Sequence, residues 1–462
     1  MMKKIRIILA TLFFVGLILL FAGCGGLFTP YFGWMAKMQF LPAVLALNFV
    51  VFVGISLVAL IFGRFYCSIV CPLGVMQDCF SWLGGKAKKN RFQYKKGNTV
   101  LRIIFLVAFV LLMLFGLNGV ALLIAPYSAF GRIANTIFHW SGFNVTAIVA
   151  IVTFVVIGFL SFRWGRLWCN TFCPVGSVLG FFSKFALFKP VIDTSKCNGC
   201  TLCARNCKAM CINPQTHTID YSRCVACMDC LNNCHQGAIS YTRAKSSAKP
   251  PSSDEAVDTS RRKFVLTTAA VGAAMALEAQ EKKVDGGLAV LEDKQLPDRK
   301  VPLKPFGAKS LKNFSSHCTG CQLCVSECPH KVLRPSKDLK TLLQPEMAFD
   351  KGFCAPDCTR CSQVCPTGAI KPIDAADKSS ISIGHAVTVT SNCLLGQGVT
   401  CNACSRHCPA AAISIVSDES TGHSRITVNE QRCIGCGACE YYCPVRPFSA
   451  IYVEGREVHA SV

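Results

Sequence analysis

Charge is scarce in this chain, and acid is scarcer than base. Asp, Glu, Lys and Arg make up 16% of its 462 residues, hydrophobic residues 52%, and the mean hydropathy is +0.40. So apolar a balance excludes a wholly water-borne protein and points to a chain lying partly in lipid. Acids number 26 against 48 basic residues, a net charge of +22. An excess of that size suits a polyphosphate as well as a membrane. Placement decides against nucleic acid, because many of the Lys and Arg flank apolar runs, where anionic lipid and topology account for them. Also missing are a glycine-rich dinucleotide fingerprint and a covalent haem motif. Their absence leaves neither a Rossmann-type cofactor nor attached haem as the redox carrier.

Cysteine is abundant instead, with 31 residues. That is too many for a reduced compartment unless they hold metal, and their spacing is not that of a disulfide scaffold. Cys197, Cys200, Cys203 and Cys207, then Cys224, Cys227, Cys230 and Cys234, each read C-x-x-C-x-x-C-x-x-x-C. In this two-cluster ferredoxin pattern three close cysteines hold one [4Fe–4S] cube and the fourth reaches its neighbour. Cys197, Cys200, Cys203 and Cys234 therefore make one site, and Cys224, Cys227, Cys230 and Cys207 the other. A zinc site needs four ligands but gives no reason for a fourth that belongs to a partner set. Lys208 and His235 stand where the usual pattern has Pro. Cys230-x-x-x-Cys234-His235 is one residue too long for haem attachment.

Four more sets follow: Cys318, Cys321, Cys324 and Cys328; Cys354, Cys358, Cys361 and Cys365; Cys393, Cys401, Cys404 and Cys408; Cys433, Cys436, Cys439 and Cys443. Each last cysteine precedes a proline, which turns the chain away from the cube. Six [4Fe–4S] clusters are the natural count. Seven of the 31 cysteines remain: Cys67, Cys71, Cys169 and Cys173 in two turns, Cys24, Cys79, which reads as packing, and Cys211, which has no assigned role.

The first half reads as a membrane α-helical bundle. Ile7 to Gly23, Leu41 to Phe62, Val100 to Ala125 and Val145 to Phe162 are each near the ~20 residues a bilayer requires. Basic residues precede the first span, lie between the second and third and follow the fourth, which puts both ends of the bundle in the cytoplasm. The bundle is also a repeat. Gly63-Arg64-Phe65-Tyr66-Cys67-Ser68-Ile69-Val70-Cys71-Pro72-Leu73-Gly74 after the second span matches Gly165-Arg166-Leu167-Trp168-Cys169-Asn170-Thr171-Phe172-Cys173-Pro174-Val175-Gly176 after the fourth. Two facing helix pairs bring Cys67, Cys71, Cys169 and Cys173 together at the cytoplasmic rim, as a further metal centre or as redox thiols. The alternative is a tight turn with inert cysteines.

Ser260-Arg261-Arg262-Lys263-Phe264-Val265, with a weakly apolar run to Leu277 and Ala274-Met275-Ala276, resembles a twin-arginine export signal. It sits inside the chain, after a polar tether. Residues 1–189 are thus a four-helix membrane domain, 190–243 a cytoplasmic two-cluster domain, 244–259 a linker, 260–279 an internal signal and 300–462 a periplasmic four-cluster domain. If Ala276 is not a cleavage point, the run becomes a short fifth helix. Phe21-Ala22-Gly23-Cys24 also resembles a lipoprotein box, which would make Cys24 a lipidated residue.

The two C-x-x-x-C-P turns with a two-cluster ferredoxin behind them resemble the NapH, NosR and CcoG group of membrane iron–sulfur proteins. The arginine pair followed by four sets resembles the NapG and MauM proteins. That resemblance implies a bacterial inner-membrane, multi-pass protein with α+β bacterial-ferredoxin-like domains, two clusters inside and four outside. The implied activity is quinol dehydrogenation, with the quinol pool as substrate source and a periplasmic or membrane redox protein as acceptor. Its rivals are cupric reduction at the paired thiols, as in the CcoG branch, and maturation of a partner metalloenzyme. The resemblance also implies that the first C-terminal set pairs with the fourth and the second with the third. Cys443 then joins Cys318, Cys321 and Cys324, and Cys408 joins Cys354, Cys358 and Cys361. Cys328 joins Cys433, Cys436 and Cys439, and Cys365 joins Cys393, Cys401 and Cys404. A quinone is expected near Tyr31, Trp34, Tyr127 and His139, which serve equally as interfacial anchors.

Overall fold

A computed structural model describes residues 2–23, 27–87, 92–140, 142, 144–243, 283–285, 289–291, 293–339, 341–417 and 424–462. Cys24, the tether, Arg261, Arg262 and Ala276 lie outside the described residues. The first half is helical: α1 Met2–Ala22, α2 Thr29–Lys37, α3 Phe40–Leu45, α4 Phe49–Phe62, α5 Phe65–Ile69 and α6 Pro72–Ala87. It continues with α7 Thr99–Leu114, α8 Asn118–Ala121, α9 Pro126–Phe138, α10 Val145–Trp164, α11 Leu167–Thr171 and α12 Pro174–Lys184.

Among the described residues α1 and α10 are long and apolar enough to cross a membrane, while α4 and α7 are shorter apolar helices. The expected second and third spans are therefore each broken. Leu47, at φ +53°, separates α3 from α4, and Gly116, at φ +75°, separates α7 from α8. Local polar groups set the starts. Asn48, Asn98 and Asn144 each accept a backbone N–H three residues on, at 3.3, 3.1 and 2.9 Å, capping α4, α7 and α10.

The repeat is present and crossed. After Gly63 and Gly165, both at positive φ, the chain makes a one-turn helix and then a longer helix that starts on Pro72 or Pro174. Proline suits that first helical position because its missing N–H has no partner there anyway. α6 packs on α10 and α12 on α4, so each inner helix lies against the other repeat's long helix.

The two-cluster module is closed by antiparallel strands Phe188–Ile192 and Ile239–Arg243, with Phe188 opposite Arg243. It lies at the start of α1, where Lys3 pairs with Asp229 at 2.9 Å. The connection before α7 rests on it too, Phe92 donating its N–H to the Arg205 carbonyl at 3.1 Å. The C-terminal domain is held by strands Ile381–Thr388 and Ile451–Ser461 and two short hairpins, Leu333–Pro335 with Pro345–Met347 and Ile413–Ser417 with Ser424–Val428. It meets the other end of α1, where Ser326 donates to Asn135 at 3.0 Å and Asn118 to the Ser315 carbonyl at 2.7 Å. The 21 residues of α1 span about 31 Å at ~1.5 Å each, close to the ~30 Å of a hydrocarbon core. The two cluster domains therefore stand at opposite ends of α1.

Asp78 ties the near end together. Its carboxylate pairs with Arg166 at 2.7 Å, Lys208 at 2.9 Å and Arg6 at 3.1 Å, joining α6, α10's end, the two-cluster module and α1. Replacing it leaves three crowded cations, two of them almost wholly buried. Asp78→Asn should therefore cost about 3–5 kcal/mol of stability, read as an earlier thermal loss of the cluster absorbance in detergent.

Candidate metal centres

Each regular C-x-x-C-x-x-C stretch wraps in the same way. The residue after the second cysteine is left-handed, Thr201 at φ +60°, Met228 at +62°, Gln322 at +66° and Gly437 at +80°, and it starts the short helix that carries the third cysteine. Three of the four are not glycine, so the turn costs strain that the surrounding loop must hold. At Gly437 a side chain would run into the Phe349 ring. The irregular second and third C-terminal sets lack this turn, with Thr359 at φ −121° and Asn402 at −129°.

In the two-cluster module Cys203 interacts with Cys197, Cys200 and Cys234, and the four line one cavity of about 470 Å³. Cys230 interacts with Cys227, Cys224 and Cys207, which line a second. The structure thus brings together both quartets that the spacing predicts, and Cys211 enters the second cavity with them. Cys79, expected as packing, is exposed on α6 instead.

The C-terminal pairing differs from the expected one. Cys328 lines a cavity of about 440 Å³ with Cys354, Cys358 and Cys361, and Cys365 interacts with Cys318, Cys321 and Cys324. Cys408 interacts with Cys433, Cys436 and Cys439, and Cys443 lines a cavity with Cys393, Cys401 and Cys404. Successive sets therefore exchange their fourth cysteines, first with second and third with fourth. The cause is local: one short hairpin separates each exchanging pair, and the following Pro329, Pro366, Pro409 or Pro444 turns that cysteine toward the nearest set. The pairs then meet through the Cys354 N–H, which donates to the Cys436 carbonyl at 2.9 Å. The four sites form a row, beginning with the site at Cys321, which touches α9, and ending at the Cys393 site.

These sites fit [4Fe–4S] clusters by their donors. Four thiols converge at each of the four C-terminal sites, and backbone N–H groups point at the ligand sulfurs, Gly320 to Cys318 at 3.4 Å, Ile370 to Cys365 at 3.4 Å and Ala412 to Cys408 at 3.3 Å. Among the described residues no group of His, Cys, Asp and Glu is set to hold a single metal ion. Burial pushes the Cys321 and Cys404 thiols up to about 11, so loading a cluster must drive protons off.

In the helical half Cys67, Cys71, Cys169 and Cys173 converge, with Cys169 hydrogen-bonded to Cys173 and in electrostatic contact with Cys67 and Cys71. These are the four thiols expected either to hold a further metal centre or to act as redox thiols. Arg64 sits over them, its guanidinium 3.8 Å from Cys67 Sγ and 3.3 Å from both the Cys169 and Ser222 carbonyls. On the opposite side Tyr66 donates to Gln39 at 2.9 Å, and Tyr127 lies between Tyr66 and the Cys321–Cys365 site. The four aromatic residues expected around a quinone differ in exposure. Tyr31 and Trp34 are 71% and 47% exposed, His139 is half-buried and Tyr127 is 1% exposed.

Lys378 reaches a cluster-site cysteine without any signal in the sequence. It is 1% exposed and donates to Cys354 Sγ at 3.2 Å and to the Ala355 and Cys358 carbonyls. It stands in a five-residue helix outside every cysteine set, and only the fold turns it inward.

Two outcomes follow from this geometry. Cys318→Ser and Cys365→Ser should remove the same cluster, so the double variant loses about four irons, as each single does, while Cys318→Ser/Cys443→Ser loses about eight. The pairing implied by the resemblance gives the reverse. Lys378→Met should lower one cluster's reduction potential by about 60 mV, the equivalent of one ~1.4 kcal/mol charge-assisted hydrogen bond, in a spectroscopic redox titration.

Comparison with known proteins agrees with the cluster chemistry. Residues 44–91 and 146–192 match a 4Fe-4S binding domain, and residues 317–369 and 399–446 match a 4Fe-4S dicluster domain. The segment 317–369 holds the first exchanging pair of sets, and 399–446 holds the second pair except Cys393. The methylamine utilization ferredoxin-type protein MauM of Methylobacillus flagellatus is 34% identical over 188 residues, 38% of this chain and 77% of that protein. The ferredoxin-type protein NapG of Escherichia coli is 35% identical over 191 residues, 38% of this chain and 74% of NapG. The ferredoxin-type protein NapF of Escherichia coli is 28% identical over 154 residues, 33% of this chain and 87% of NapF. No solved structure matches. With many cysteines binding multiple [4Fe–4S] clusters and this likeness over part of its length, the chain is an iron–sulfur electron-transfer protein and belongs to the MauM and NapG family of ferredoxin-type proteins.

Proposed function

We propose that the chain is a quinol-linked electron conduit of the bacterial inner membrane, with two clusters at the cytoplasmic face, four at the periplasmic face and a periplasmic redox protein as acceptor. The observation that carries this reading is the placement of cysteine sites at both ends of α1 with four buried thiols between them. Bound clusters supply one-electron transfer and nothing else. The chain's own part is to space them, bury them and balance their charge.

Arg64 and the tyrosines fit that task. The Arg64 guanidinium touches both the thiol centre and Ser222, two residues before Cys224, and Tyr66 and Tyr127 fill the space toward the Cys321 site. Those side chains exclude water from the interval between the inner and outer sites.

A second reading, cupric or other metal reduction at the membrane thiols, is favoured by their convergence, since soft thiolates suit copper. On that reading the outer sites serve a maturation role. The two separate in purified protein. Quinol should bleach the cluster spectrum of the detergent-solubilised chain, and Cys67→Ser/Cys169→Ser should leave cupric reduction unchanged. A spectrum indifferent to quinol but responsive to dithionite, with cupric reduction lost in the double variant, overturns the first reading in favour of the second. For topology, a reporter after Val462 should be exposed to the periplasm, and Arg261→Lys/Arg262→Lys should abolish that exposure.

A further inference from the structure

The second site of the two-cluster module holds one cysteine too many. Its cavity, about 390 Å³, is lined by Cys207, Cys211, Cys224, Cys227 and Cys230. The cavity of the first site, and those at Cys328 and Cys443, are each lined by four. Cys211 is 1% exposed, its Sγ lies 3.5 Å from Cys207 Sγ, and it also hydrogen-bonds Cys224. The backbone arranges this meeting. Met210, at φ +50°, donates its N–H to the Cys207 carbonyl at 2.9 Å and folds Cys211 back over Cys207. The same turn follows Cys234, Cys328 and Cys408, at Gly237, Lys331 and Ala411, and there it carries Ala238, Val332 and Ala412; here it carries a thiol and sets it against two ligand sulfurs.

We propose that Cys211 is an interchangeable fourth ligand of this site, able to take the iron from Cys207. The inference rests on the reading of these quartets as cluster sites. The exchange is balanced: one Fe–S bond to Cys207 breaks as one to Cys211 forms. The Cys211 proton passes to the released Cys207 thiolate across the 3.5 Å that separates them. No electron moves, so no oxidant is needed. Cys207 adjoins Lys208, which is pinned to the membrane half through Asp78 at 2.9 Å and through the Arg166 N–H on its carbonyl at 2.8 Å. Cys211 opens a different segment, the strand Ile212–Asn213. The site thus keeps its cluster when the pinned loop shifts, with the anchor passing from the membrane-linked loop to the module's own strand.

The test uses the full chain in detergent, with iron content and the spin count of the reduced clusters as readouts. Cys207→Ala should keep its full iron and alter one electron paramagnetic resonance signal. Cys207→Ala/Cys211→Ala should lose about four irons per chain, and so should Cys234→Ala, whose cavity has no spare thiol. The remaining clusters report whether each variant folds. A loss of about four irons from Cys207→Ala alone overturns the proposal, as does full retention in the double variant. Full retention in Cys234→Ala overturns the cluster-site reading itself, and the proposal with it.

Discussion

Two buried arginines cross between the repeats, and the near half of the molecule is arranged around that exchange. Arg64 of the first repeat donates to the Cys169 carbonyl of the second, and Arg166 of the second donates to the Cys67 carbonyl of the first, at 3.3 and 2.8 Å. Both are 0% exposed. Room for them comes from Gly176 and Gly74, where a Cβ would collide with the same carbonyl and lie 2.7 Å from the same guanidinium. The G-R-x-x-C-x-x-x-C-P-x-G pattern is thus one interlocking device: glycine admits the partner's arginine, and the arginine fixes the partner's cysteine turn. Burying two guanidinium groups carries a desolvation cost that only full hydrogen bonding and opposite charge can offset. Arg166 has Asp78. At the matching place in the second repeat stands Gly180, and Arg64 has only Asn170, two carbonyls and Cys67 Sγ among the described residues. The thiol centre and Cys224 both lie beside Arg64 and can become anionic, so the charge state of these thiols and the stability of the crossing are linked.

Docking of the C-terminal domain obeys the same rule of close approach. Gly23, Gly119 and Gly131 line the face it meets, and a Cβ there would press on the Ser326 carbonyl, the Leu342 backbone and the Cys321 carbonyl. With no side chains between the backbones, the Cys321 turn rests directly on α9 and beside Phe21. One apolar core then runs unbroken from Leu17 and Phe21 through Tyr127 and Phe130 to Phe314 and Phe349. Rigid contact of that kind fixes the separation of redox sites, which a tether alone does not.

How much of this the chain displays in its sequence depends on range. The repeat, the cysteine sets and the inner quartets are local patterns, and they are readable because ligand spacing is a property of a turn. The breaks at Leu47 and Gly116 are half-legible: Asn48 is a cap and Gly116 a stop, but both are hidden inside long apolar runs. The pairing of Cys328 with Cys354 and of Cys365 with Cys318 is not legible at all. Every set carries the same last cysteine and proline, so only the hairpin Leu333–Pro335 with Pro345–Met347 decides which neighbour it reaches. Cys211 is visible as a surplus, yet its contact with Cys207 depends on the backbone of Met210, a residue with no turn preference.

The same distinction explains part of the net charge. Reading the basic excess as topology accounts for the cations flanking the apolar runs, but several others are buried or half-buried beside cysteines. Lys304 interacts with Cys318, Lys378 bonds Cys354, Lys294 donates to the Cys443 carbonyl at 3.1 Å, Lys208 interacts with Cys227 and Arg64 bonds Cys67. Four thiolates outweigh the positive charge of an iron–sulfur core, so each loaded site is an anion held in a poor dielectric. A cation placed at its edge lowers that cost, and lowers it more after an electron arrives, which raises the potential of the site it adjoins. Lys304, Lys378 and Lys294 stand along the outer row, Lys208 at the two-cluster module and Arg64 at the thiol centre, so each raises the potential of a different site. Scarcity of acid then has a physical reason beyond lipid, since a carboxylate in any of those positions would work against both the cluster and the electron.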